Sequence, residues 1–185
     1  MPISRIIFLL FFPACLGILR QVMWNTELTD QLLAFGIFFF CIEQANMANQ
    51  DLQKVANAKK LVEDARLNNF QTIIIITIII ELTGFYLSSI WLGWGSIIIL
   101  FGLIWFNLFA NIKINQSAKN IIKTWNITER LPVLIADLLG LILVSMWILN
   151  IASYWISWGL FAMAVVYCGI KLFLFSKSFN LVKSS

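Results

Sequence analysis

Apolar residues run unbroken along several stretches of the chain, and the charged residues are gathered in the segments between them. Ile6 to Leu19 is uncharged between Arg5 and Arg20, and Leu32 to Ile42 forms a second apolar run. Further runs extend from Thr72 to Trp91, Ser96 to Ile112, Pro132 to Asn150 and Ile156 to Ser176. About 20 such residues cross a bilayer as a helix. The pattern therefore predicts an all-α membrane protein with six transmembrane helices, and at least four, paired as hairpins. The first run is short enough to be a signal-peptide core instead. Phe12 and Pro13 spoil the lipoprotein-like sequence Phe12-Pro13-Ala14-Cys15, so an uncleaved helix is expected there.

The boundaries follow from where the pattern changes. Residues 1–45 read as an N-terminal membrane hairpin that turns at Trp24, Glu27 and Asp30. Residues 46–70 read as a charged cytoplasmic helix, because Val55, Ala58, Val62 and Ala65 recur at helical spacing among Lys, Asp and Glu. That stripe is either the dry side of a solvated connector or a docking surface. Residues 71–112 form the next hairpin, with a tight turn at Leu92-Gly93-Trp94-Gly95, and 132–176 form the last, with Pro132 in the first helical turn. Between them, residues 113–131 place Ile114, Ala118, Ile121, Ile122 and Trp125 on one helical face and Asn115, Lys119, Asn120, Lys123 and Asn126 on the other. This predicts an amphipathic helix in the membrane interface, with residues 113–130 against anionic lipid head groups. Residues 177–185 are a cytoplasmic tail.

Charge then fixes an orientation. Lys54, Lys59, Lys60 and Arg66, then Lys113, Lys119, Lys123 and Arg130, then Lys171, Lys177 and Lys183 fall on one side of the predicted membrane. The turns on the other side carry no charge, and Trp91, Trp94, Trp147, Tyr154, Trp155 and Trp158 cluster near them. The positive-inside rule puts the basic segments and the C-terminus in the cytoplasm, and the aromatics form the opposite interfacial belt. With 61% hydrophobic and 12% charged residues, the composition lies far from that of soluble domains. The net charge of +4 builds no basic face of the kind a nucleic-acid reader needs. The chain has no histidine, and Cys15, Cys41 and Cys168 sit singly inside apolar runs, where cysteine behaves as a small hydrophobe. No cofactor or metal site is indicated.

Two stretches share a frame. Glu81-Leu82-Thr83-Gly84 leading to Trp91 aligns without gaps on Asp137-Leu138-Leu139-Gly140 leading to Trp147, and Trp94-Gly95 meets Trp158-Gly159. The last two hairpins are therefore expected to be a tandem repeat about an axis along the membrane normal. Each acid lies ten residues before its tryptophan, roughly 15 Å from the outer belt and close to the midplane. An acid at that depth is paired, protonated or open to water. Gly84 and Gly140 let a helix approach the same faces closely. Counting depth from the turns pairs Asp137 with Lys171 and Glu81 with Asn107. A lysine at the position of Lys171 could equally snorkel to the interface. On this scheme Glu81, beside a neutral amide, is the better proton carrier.

The stretch Glu129-Arg130-Leu131-Pro132-Val133-Leu134-Ile135-Ala136-Asp137 through Trp147, with Gly93-Trp94-Gly95 and Trp105-Phe106-Asn107-Leu108, resembles a group of small cyanobacterial membrane proteins over roughly residues 45 to 175. The resemblance implies a bacterial inner or thylakoid membrane and carries no activity. Three function classes compete. An assembly or accessory subunit of a membrane complex, docking a membrane-protein partner, is favoured, whereas a lone homo-oligomer would favour transport. A cation- or proton-coupled carrier or channel using Glu81 and Asp137 is the alternative. An intramembrane enzyme is disfavoured, since no nucleophile elbow, metal motif or phosphate loop is present.

Overall fold

A computed structural model of the chain describes residues 3–114 and 121–183, with side chains in the last helix described as far as Tyr167. The described residues form six helices, α1 (Ile3–Trp24), α2 (Leu28–Leu61), α3 (Ala65–Ser88), α4 (Leu92–Phe109), α5 (Ile127–Ile148) and α6 (Ser153–Lys183). Two short strands, β1 (Ile112–Ile114) and β2 (Ile122–Thr124), lie between α4 and α5. Helices α2, α3, α4 and α5 are each long and apolar enough to cross a membrane. In hydrocarbon, every backbone N–H and C=O must be paired within its own segment. This is why even the isoleucine-rich stretch from Ile73 to Ile80, a strand former in water, lies inside α3.

The α1–α2 hairpin closes through Asn25, whose side chain donates to Asp30 Oδ2 at 2.8 Å and whose carbonyl accepts from Gln31 at 2.7 Å. Helix α2 then continues for 34 residues, roughly 50 Å, longer than the ~30 Å hydrocarbon core. The charged connector expected at 46–70 is therefore the second half of α2 followed by a three-residue break and the start of α3. No Gly or Pro follows Gly36 in α2 to stop it earlier. Asp64 then caps α3, accepting from the Arg66 backbone at 2.8 Å. The Arg66 guanidinium beside it holds the Asp64 carboxyl below its ordinary value. Half of the apolar stripe is used within the chain. Val55 and Ala58 join the buried cluster that holds Leu67, Phe70, Ala110 and Ile112, whereas Val62 and Ala65 stay exposed.

Helices α1, α2 and α3 meet around Phe85, which is fully buried with Phe11 at 5.8 Å and Phe40 at 6.2 Å between ring centres. Gln21 of α1 donates to Ser89 O at 2.8 Å beside the α3–α4 turn. Helices α3 and α4 pack closer still. A Cβ on Gly95 would collide with the Ser88 backbone and the Gly84 carbonyl, and one on Gly84 would strike Ile99.

The linker differs from expectation. Residues 112–114 and 122–124 pair antiparallel in the register Ile112↔Thr124, Lys113↔Lys123 and Ile114↔Ile122, so no interfacial helix forms there. Residues 115–120 lie outside the described part. The apolar positions Ile114, Ile121, Ile122 and Trp125 are still half-buried, packed on the protein core. Both strands alternate a β-branched residue with lysine, and β-branched side chains fit a pleated strand better than a helix. Helix α5 also starts earlier than Pro132, at Ile127, leaving Pro132 inside it.

The last hairpin is not packed like the first. Helix α5 lies along α4, while α6 lies along α2, where Gly36 faces Ala164 and Phe35 meets Phe161 at 5.8 Å. Among the described residues, contacts between α5 and α6 are sparser than either makes with these neighbours.

Candidate functional site

Both expected acids are buried. Glu81 is 2% exposed and Asp137 is 7% exposed. Each is presented to α4, from opposite neighbours. On α3, the Gly84 face meets Gly95 and Ile99 of α4, and Glu81 lies over Gly102, where an added Cβ would come within 3.1 Å of Glu81 Cγ. On α5, Gly140 faces Leu100 of α4, and Asp137 reaches Asn107. The shared acid-x-x-glycine frame therefore produces two contacts with one central helix. Positions 95, 99 and 102 of α4 receive α3, and positions 100 and 107 receive α5.

One expected pair is replaced. Asn107 Nδ2 donates to Asp137 Oδ2 at 2.8 Å and to Leu103 O at 3.0 Å, so the amide assigned to Glu81 serves the other acid. Depth alone did not distinguish the two acids. The face of α4 did, since Asn107 lies two turns from Leu100 on the side that meets α5. The Lys171 side chain lies outside the described part, as does its expected pairing with Asp137.

A residue assigned only a topological role completes the network. Arg130 is 3% exposed. Its Nη1 donates to Asn107 O at 2.6 Å, its Nη2 reaches Asn111 Oδ1 at 3.4 Å, and its guanidinium lies 5.5 Å from the Trp125 ring centre. Helix α4 ends at Phe109, so the Asn107 carbonyl is one of its last four and has no partner further along the helix. A cation there also meets the negative end of the helix dipole. Arg130 thus caps α4 from a neighbouring helix, and Asn107 joins it to Asp137 through both ends of one residue. Arg130 precedes Asp137 by seven positions, two turns on the same face, and that spacing was visible in the sequence.

Arg130, Asp137 and Val144 are the buried residues of α5, spaced seven apart in one narrow line. Only 11% of its most apolar stretch is buried, against 39% in α3 and in α4. Leu131, Val133, Ile135, Leu138, Leu139 and Ile142 cover its remaining faces and are exposed.

Glu81 is different in kind. Its Oε1 is buried with no hydrogen-bond partner among the described residues. Glu43 accepts from the Tyr167 hydroxyl at 3.0 Å, which ties α6 to α2. Asp137 thus has an amide partner whose own residue is held by a cation, whereas Glu81 Oε1 has no partner among the described residues. Compared with protein-family models, curated proteins and solved structures, the chain matches none of them.

Proposed function

We propose that this protein is an integral membrane accessory subunit, whose fifth helix is held by its own bundle along one line and offers its other faces to a partner. The carrying observation is that α5 buries only Arg130, Asp137 and Val144. A span fixed by a polar stripe can keep its register without broad apolar packing, because buried polar contacts in hydrocarbon are directional. Among the described residues the contact between α5 and α6 is sparse, which fits a further helix beside α5. The orientation that goes with this reading places the basic ends of α2, α3 and the β1–β2 hairpin in the cytoplasm. The β1–β2 hairpin, with Lys113 and Lys123 on it, then sits at the head groups. Purification of the tagged full-length protein in a mild detergent tests the reading. A stable complex with another membrane protein is expected, and a lone homo-oligomer would contradict it.

A second reading is favoured by Glu81. A carboxyl buried near the midplane, with an oxygen that has no partner among the described residues, is a place where a proton or a small cation can reside. Under this reading Glu81→Gln abolishes ion flux in proteoliposomes. Under the accessory reading the same substitution leaves assembly and stability nearly unchanged.

A further inference from the structure

Cys15 of α1 and Cys41 of α2 are both free thiols, and their sulfurs lie 2.9 Å apart across the first hairpin. Nothing in their sequence positions announces this, since they are 26 residues apart and each sits alone in an apolar run. Cys41 is completely buried, whereas Cys15 is half-buried beside the exposed Phe12 and Leu16 on the outer face of α1.

The spacing separates the chemistries open to two thiols. A metal held by both sulfurs at about 2.3 Å each, with a tetrahedral angle between them, would hold them roughly 3.8 Å apart. The observed separation is too short for an intervening ion. A disulfide needs about 2.05 Å, so closing it requires each sulfur to move by only about 0.4 Å. Two thiols packed this closely in an apolar hairpin are pre-aligned to join one another.

We propose that Cys15 and Cys41 are a reversible dithiol–disulfide pair that staples α1 to α2, oxidised from the membrane by a lipid-soluble quinone. In the step, both S–H bonds break and one S–S bond forms. The quinone takes the two electrons and the two protons and leaves as the quinol, so no other reactant is required. The half-buried Cys15 flank faces the surface of the bundle, where such an oxidant arrives, and buried Cys41 is shielded from water-soluble reagents. The inference is independent of the accessory and carrier readings, because it uses neither α5 nor Glu81.

The test uses the full-length protein in liposomes, exposed to decylubiquinone and then denatured in the presence of N-ethylmaleimide. Arg20 lies between the two cysteines, so trypsin separates them unless a disulfide joins the fragments. The expected result is loss of maleimide adducts at both Cys15 and Cys41 and a linked pair of peptides that dithiothreitol releases. The variants Cys15→Ser and Cys41→Ser should each yield no linked pair, and Cys168→Ser should leave it intact. Retention of both adducts after quinone treatment overturns the proposal. A link that forms with copper–phenanthroline but never with the quinone overturns the assigned oxidant.

Discussion

Asn107 is where the polar interior of this protein is decided. It donates to Asp137 through its side chain and accepts from Arg130 through its carbonyl. Replacing it with leucine keeps the volume but strands a buried carboxylate. Loss of one partner from such a bond costs about 1–3 kcal/mol, and more when the group left behind is charged. Asn107→Leu should therefore lower the melting temperature in detergent, and the double variant Asn107→Leu/Asp137→Leu should recover most of the loss. A single variant as stable as the wild type would mean that the Asn107–Asp137 bond does not hold the fold as described. At this scale the sequence identified which residues are exceptional, since charged and amide groups are rare inside apolar helices. It did not identify their partners. Glu81 and Asp137 occupy equivalent positions in the aligned frame, and only the angle around α4 separates them. Hydropathy groups Arg130 with the basic loops, whereas its helix begins five residues before the expected start at Pro132. The adjacency of Cys15 and Cys41 depends on how α1 and α2 are rotated against each other, which no local pattern encodes.

At the scale of elements, the apolar runs located all six helices, and their ends moved where capping and strand formation intervened. The charged segment after Ala45 belongs to α2 because it contains no helix breaker, and hydropathy cannot report a helix that continues past its apolar run. The linker was ambiguous in a specific way. Ile114, Ile121, Ile122 and Trp125 satisfy a helical face, yet Ile112-Lys113-Ile114 and Ile122-Lys123-Thr124 also satisfy the period of two. Closing the hairpin keeps the same apolar side chains half-buried while pairing backbone groups that an irregular linker would leave to water. Glycines separate tight from loose interfaces. Gly95→Ala places a methyl against the Ser88 and Gly84 backbones, and overpacking of this kind costs about 1–3 kcal/mol. Gly159, with nothing within 4 Å of an added Cβ, should accept alanine neutrally or gain up to about 1 kcal/mol. Equal melting temperatures for the two variants would contradict the close α3–α4 contact.

Across the whole molecule, the bundle is uneven. Its densest contacts tie α1 to α2 and α3 to α4, and α5 and α6 are attached on separate sides. The aligned acid-glycine-tryptophan frame suggests two equivalent hairpins, and that repeat is not confirmed: the acid and glycine of both copies rest on α4, and α6 lies along α2. Interior and exterior are also unevenly polar, because α5 turns Arg130 and Asp137 inward and its bulky aliphatic side chains outward. That outward face could meet acyl chains or another protein, and the accessory reading requires the second. A photo-reactive benzoylphenylalanine at Ile142, an exposed position on α5, tests this in intact membranes. The account predicts a discrete adduct with a different membrane protein after irradiation. Adducts with lipid alone, or only with a second copy of this chain, would contradict it.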